Sequence, residues 1–425
     1  MKRAARAISI FLLLAIALCA VSCSGGGQGL QPPGGEPGAG EGAAAPPDAS
    51  AEAPAGTGAG TGAEPGPGDS SGLPEAETEA DARTEEEDEG AEGAEGAEGT
   101  TDSEEAEPPR FGFIDTHADT ITRALLRGQG LFSNDLHIDF TRLLEYDAPV
   151  QVFALWCADR YVADAFEYTN SLIDFFEGEV AKHSDIIEIA LTREDLERNF
   201  RNGKISAVLS IEGGEALMGD LGNVDHFFDR GVRIMSLTWN RENELGFGQA
   251  TGSKQGIKPF GAEVIKRMEE LGMVLDVSHI NEAGFWDIHR LSALPYMASH
   301  SNAYSVTPHD RNLKDDQIRA IADRGGAVGL ALYPLLLSGK GTAGIGDVVA
   351  HAGHFIDLGA GGNIGLGGDL DGFGTMPDGL AGVSSYKALA AAFSDEFGEE
   401  ATLRIMSGNT YSFLVRYWHD FNAPR

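Results

Sequence analysis

Cysteine is nearly missing from this chain of 425 residues, which has three. Two of them, Cys19 and Cys23, fall within the first 23 residues, so only Cys157 belongs to the body of the sequence. One thiol cannot build an intramolecular disulfide framework, and it cannot supply a thiolate-rich metal site. Cys157 reads as a buried packing thiol. Basic residues are also scarce: 31 Lys and Arg stand against 66 Asp and Glu, for a net charge of −35. That sign argues against nucleic acid as a partner. The apolar run at 8–21 is too short to span a bilayer comfortably. The part of the chain that reads as folded carries no Gly-x-Ser-x-Gly elbow, which argues against serine nucleophile chemistry. The glycine pairs Gly213-Gly214 and Gly367-Gly368 read as turn or close-approach positions and do not form a phosphate-binding loop.

The amino terminus has a layout of its own. A basic start at 1–6, the apolar run and the small residues after it have the form of a secretory signal. Ala20-Val21-Ser22-Cys23 resembles the lipobox of bacterial lipoproteins, so 1–23 is expected to be a signal peptide whose cysteine becomes the acylated first residue. Residues 24–109 are low-complexity Gly, Ala, Pro, Ser and Glu, with Glu-Gly-Ala repeated through 89–97. Such a stretch has too few large apolar residues to offset the entropy of folding. It holds 22 acids against Arg83 alone, which makes it a disordered, self-repelling tether. Residues 110–425 retain 44 acids and 27 bases. The expectation is an exported domain, lipid-anchored to a bacterial membrane.

From 110 onward, short apolar runs of β type alternate with helix-like stretches. Strands are predicted near 111–117, 150–157, 206–212, 232–240, 272–279, 295–301, 327–334 and 363–369. Amphipathic helices are predicted at 166–182, 260–271 and 315–324. Near-continuous apolar runs fit parallel strands covered on both faces. Eight of them with helical crossovers predict one α/β domain over 110–425, a (β/α)8 TIM-type barrel; a doubly wound open sheet is the rival.

The chemistry gathers at the carboxyl ends of these runs. His117 and Asp119 close the first run, and their spacing of two places both on one side of an extended strand. Glu212 closes the third, His279 the fifth and His300 the sixth; Asp369 and Asp371 close the eighth. In a barrel these positions share one face. Each has an ordinary alternative, such as a helix cap for Glu212 or a hydrogen-bonded core histidine for His279. Five strand ends carrying ligand-type residues are harder to obtain from packing, because burying unpaired polar groups is costly.

Three histidines with Asp and Glu are donors suited to Zn²⁺, with Mn²⁺ or Co²⁺ as alternatives. Two ions fit the ligand count better than one, with a carboxylate between them. Such a pair would hold a hydroxide and polarise a carbonyl or phosphoryl oxygen, and an aspartate of the eighth run would move protons. This points to metal-assisted hydrolysis.

Residues 111–418 resemble the membrane (renal-type) dipeptidases, peptidase family M19. The landmarks are Asp115-Thr-His-Ala-Asp119, Glu212-Gly-Gly, Asp276-Val-Ser-His279 and Ser299-His-Ser-Asn-Ala-Tyr-Ser-Val306. Arg311-Asn312, Gly367-Gly-Asp-Leu-Asp-Gly372 and Gly408-Asn409 complete them. The resemblance implies a barrel with two zinc ions, His117 and Asp119 on one, His279 and His300 on the other, and Glu212 bridging. It implies that Asp369 handles the substrate amine or the proton transfer, and that Arg311 pairs with the substrate carboxylate. It also implies a dipeptide substrate, with tolerance of a C-terminal D-residue, and pairing of two copies. Where the mammalian members have a substrate-contacting histidine, this chain reads Thr238-Trp239-Asn240. Trp239 cannot accept a proton as imidazole does, so Asn240 or Asn243 is the candidate donor to substrate there. Two rivals remain: the same metals acting on another amide, a lactone or a phosphoester, and a non-catalytic surface-binding lipoprotein.

Overall fold

The structure, a computed structural model, describes residues 109–422. The expected signal peptide over 1–23, with Cys23, and the acidic tether over 24–109 lie outside the described residues, save for Pro109.

Among the described residues nine parallel strands are present: β1 (Ile114–Asp115), β2 (Val150–Trp156), β3 (Ile187–Ile189), β4 (Ile205–Glu212), β5 (Val232–Ser236), β6 (Val274–Asp276), β7 (Met297–Ala298), β8 (Ala327–Leu330) and β9 (Ile364–Leu366). Eight of them close a ring in the order β1-β2-β4-β5-β6-β7-β8-β9, with β9 returning to β1 through Asp115 and Leu366. Closure excludes the open doubly wound sheet and gives the (β/α)8 barrel. Seven of the ring strands sit within their predicted runs and are shorter, and β4 begins one residue before its run. Past their ends, isolated bridges such as Ala118 to Leu370 continue the extended backbone. The short strand β3 was not predicted. It pairs with Ile205–Ala207 at the start of β4, ahead of the part of that edge taken by β5.

Side-chain alternation divides the buried residues in two. Ile114, Val150, Val152, Val208, Ile234, Val274 and Met297 point into the lumen. Phe153, Leu155, Leu209, Ile211, Met235 and Leu275 face the helices outside. The helices at Ala165–Lys182, Pro259–Leu271 and Asp315–Asp323 match the predicted segments. Pro259 sets the start of the second, and Gly272, with φ of 79°, ends it in the left-handed conformation. Tyr411, Phe413, Leu414, Tyr417 and Trp418 of the last helix join Phe111 and the lumen residues in one apolar cluster. That cluster fills the amino-terminal end of the barrel. The carboxyl-terminal end is left for polar chemistry.

Candidate metal centre

Five predicted ligands meet at that end. The chain stays extended beyond β1, with Asp119 N–H donating to the Leu370 carbonyl at 2.8 Å. His117 and Asp119 therefore emerge together, and His117 Nε2 lies 3.6 Å from Asp119 Oδ2. The Glu212 carboxylate stands between the two halves of the site. Its Oε2 is 3.6 Å from His117 Nε2, and its Oε1 is 2.9 Å from His279 Nε2 and 3.6 Å from His300 Nε2. His117, His300 and Asp369 also bring ligand atoms together, within 4.8 Å of one another. His117, Glu212 and His300 are at most 5% exposed.

The backbone is strained where it aims these groups. Among the described residues, five positions other than glycine have positive φ, and three of them are His279 (67°), Asp369 (53°) and Asp371 (68°). Each such residue costs about 1–3 kcal/mol and persists where its surroundings hold it. Gly372 shows why the last turn is built as it is. A Cβ there would overlap Asp369 Oδ1 and lie 2.6 Å from Asp119 Oδ2. Gly367 and Gly368 are close-approach positions as expected, against the Ser299 carbonyl and the Tyr386 hydroxyl respectively. Gly213 turns the chain after Glu212 at φ of 92°.

Partners behind the ligands fix their tautomers. Ser299 Oγ donates to Asp276 Oδ2 at 2.5 Å, so its oxygen accepts from His300 Nδ1–H at 2.8 Å. Asn240 Oδ1 accepts from His279 Nδ1–H at 2.8 Å. Both Nε2 atoms then present lone pairs, yet they lie 2.8 Å apart and share Glu212 Oε1 as a neighbour. Acceptors crowded in this way need a cation among them. Across Glu212, His117 Nε2 and Asp119 Oδ1 are buried with no hydrogen-bond partner. Crowded ring nitrogens on one side of the Glu212 carboxylate and unpartnered buried atoms on the other fit metal ions.

The electrostatics agree. Burial works against protonation of His117, but Glu212 and Asp119 outweigh it and hold the imidazole well above its usual pKa. Burial would raise Glu212, but His117 and His279 hold it well below the usual range. Burial and the nearby charge of Arg311 lower His279 to about 4, which keeps it neutral as a ligand must be. Burial and Glu212 push Asp119 up to about 6, while burial, Asp119 and Glu212 hold Asp369 well above the carboxylate range despite the opposing charge of His117.

A family model described as membrane dipeptidase, peptidase family M19, matches residues 109–419. This chain belongs to the membrane dipeptidase family. A metallopeptidase from Rhodobacter sphaeroides, solved with a phosphinate mimic of the dipeptide L-Ala-D-Ala, is 26% identical with a TM-score of 0.68. The match covers 73% of this chain and 100% of that one. A second solved protein, described as a dipeptidase and metallopeptidase of family M19, is 27% identical with a TM-score of 0.68, covering 73% and 99%. The probable dipeptidase PvdM from Pseudomonas aeruginosa shares the fold at 18% identity and a TM-score of 0.65, covering 73% and 96%. The chain is a metallo-dipeptidase.

Within this dipeptidase the remaining predicted residues sort by contact. The positive charge of Arg311 acts on His279, His300 and Asp369, so the guanidinium is within electrostatic reach of the ligand cluster. Asp371 is a brace: it accepts from Thr120 Oγ1 at 2.5 Å and from His137 N–H at 2.7 Å. Asn240 orients His279. Asn243 is committed to its own turn, donating to the Leu237 carbonyl and accepting from Leu245 and Gly246 N–H. Asn409, of the Gly408-Asn409 landmark, donates to the carbonyls of Gly361 and Ile364 and so ties down the start of β9. The Cys157 thiol is pushed up to about 12, first by burial and then by Glu215 and Asp159, which removes it as a nucleophile.

Some contributors had no assigned role in the sequence. Asp276 and Ser299 lie inside quoted landmarks, yet their bond to each other and to His300 is a tertiary fact. Asp115 accepts from His117 N–H and Gly368 N–H, both at 3.0 Å, and from the Tyr386 hydroxyl. It thereby locks the first and last ring strands beneath the site. Trp156 ends β2 directly opposite Glu212 in register.

Proposed function

We propose that the centre holds two zinc ions and cleaves dipeptides with free amino and carboxyl ends, including those with a C-terminal D-residue. The observation that carries this reading is the convergence of lone-pair donors on both sides of Glu212, with His117 Nε2 and Asp119 Oδ1 unpartnered. His117 and Asp119 would hold one ion, His279 and His300 the other, and Glu212 would stand between them. Bound there, the ions lower the pKa of a water and polarise the scissile carbonyl.

The protein's own groups do the rest. Asp369, whose carboxyl is held well above the usual carboxylate range by burial and neighbouring carboxylates, gives a proton from that carboxyl to the leaving amine. Arg311 supplies a planar fork suited to the substrate's terminal carboxylate. Ser299 and Asn240 keep the Nε2 atoms of His300 and His279 turned toward the centre. The phosphinate mimic of L-Ala-D-Ala bound by the Rhodobacter sphaeroides protein supports the substrate class and the D-residue.

The amino-terminal sequence supports export and a lipid anchor at Cys23, and family resemblance supports two copies per particle. The anchor proposed from that sequence is the acylated cysteine; among the described residues no helix is long and apolar enough to cross a membrane. Membrane fractionation of a Cys23→Ser chain tests this, and retention in the membrane would count against it.

The test of function is a panel of L-L and L-D dipeptides, with a lactone and a phosphoester alongside, on protein of measured metal content. Hydrolysis of dipeptides alone is expected. Phosphoester cleavage without dipeptide cleavage would refute the proposal.

A further inference from the structure

We propose that Trp239 and Trp156 form an aromatic wall that receives a bulky apolar side chain of the substrate and sets the specificity of this dipeptidase. The inference rests on the dipeptide reading of the site and adds the class of side chain it takes. Trp156 and Glu212 are register partners on adjacent parallel strands, so their side chains leave the same face of the sheet at the same level. Val152 and Val208, of the same alternation, point into the lumen. Trp156 therefore rises into the open end of the barrel beside the bridging carboxylate. Trp239, three residues beyond β5, packs edge-on against it with ring centroids 5.1 Å apart. The ring of Trp239 also lies 6.1 Å from that of His279.

Two large indoles thus border a metal ligand on one side and the bridging carboxylate on the other. Both are only half-buried, whereas Phe153 and Phe176 nearby are fully covered. In the adjoining loop the Asn240 amide oxygen is taken by His279 and Asn243 by its own turn, while Thr238 Oγ1 is buried. What this side of the cleft offers a substrate is therefore mainly aromatic surface. A phenyl or branched side chain laid on it gains burial and ring contact, while a methyl gains little. Pockets lined by aromatic groups with a few fixed polar atoms have this character.

The test measures kcat/KM on Ala-Ala, Ala-Phe and Phe-Ala with metal-loaded protein. The parent is expected to favour at least one Phe-containing dipeptide over Ala-Ala by about tenfold or more. Trp239→Ala should collapse that ratio about tenfold, mainly through KM, and Trp239→Phe should restore most of it. Metal content and circular dichroism of each variant show whether the centre and fold survive. Should Trp239→Ala lose activity equally on all three substrates, or keep the parent ratio, the wall is overturned. A parent that cleaves no dipeptide overturns the underlying dipeptidase reading instead.

Discussion

Replacing Ser299 with alanine removes one oxygen from a site that is 1% exposed, and two partners lose their bond at once. Asp276 Oδ2 loses the hydroxyl that donates to it at 2.5 Å, although Asp276 Oδ1 keeps the Ser278 and Ser299 N–H groups at 2.9 and 2.8 Å. A hydrogen bond to a charged group contributes about 1.5–3 kcal/mol. His300 Nδ1–H loses its acceptor, and an unmet buried donor costs about 1–3 kcal/mol. Because both bonds share one oxygen, the terms do not simply add, and a stability loss of about 3 kcal/mol is expected. The functional consequence is separate. With no acceptor on Nδ1, the tautomer that leaves Nε2 free is no longer enforced. Loss of such a supporting partner typically weakens metal binding about 10–100-fold, or about 1.4–2.7 kcal/mol. Zinc affinity by competition with a chromophoric chelator, and a thermal melt on the same sample, measure both. A zinc Kd within twofold of the parent would refute the argument that Ser299 sets the His300 tautomer.

Three further perturbations separate aiming, bracing and protonation. Gly372→Ala forces a methyl against Asp369 and Asp119, and kcat/KM should fall about 100-fold or more while circular dichroism is unchanged; activity within threefold of the parent would contradict the close-approach argument. Asp369→Asn should abolish turnover with little loss of thermal stability, whereas Asp371→Ala, which strips Thr120 and His137 N–H of their acceptor, should lower stability by about 2–4 kcal/mol; the reverse pattern in melts and assays would exchange their roles. The metal-free protein holds extra protons on His117, Asp119 and Asp369, whose pKa values all lie above their ordinary ones. For each, the folded state binds protons more tightly than the unfolded, so the stability each contributes to the metal-free protein is lost as pH rises, for Asp119 between about 4 and 6, while the lowered His279 and His300 contribute in the opposite sense. Metal binding must displace these protons, so the melting-temperature gap between loaded and stripped protein should widen from pH 5 to pH 7.5, and a gap that narrows would contradict the ligand set.

The barrel was legible because its strands are apolar runs separated by amphipathic helices, and the candidate ligands because their residue types are conspicuous at strand ends. His117, Asp119, Glu212, His279 and His300 all come from such ends and meet. What stayed hidden depends on register or long-range contact. Trp156 reads as one more apolar residue of a run until its pairing opposite Glu212 is known. Tyr386 donates to Asp115 across 271 positions of chain, a bond that no local pattern announces. Asp369 and Asp371 are the same residue type two apart, and only tertiary partners make one a brace. The bond between the Asn240 amide oxygen and His279, 39 positions away, is likewise beyond any local pattern. The strand β3 is an extra partner on the edge of β4, outside the closed ring that the eight runs account for.

The central claim is a two-ion centre built around Glu212. Zinc titrated into stripped protein, with hydrolysis of L-Ala-D-Ala followed at each addition, tests it most directly. Activity should rise to a plateau at two equivalents, and Glu212→Gln should show none at any loading. A plateau at one equivalent, or turnover by the Glu212→Gln protein, would contradict the account.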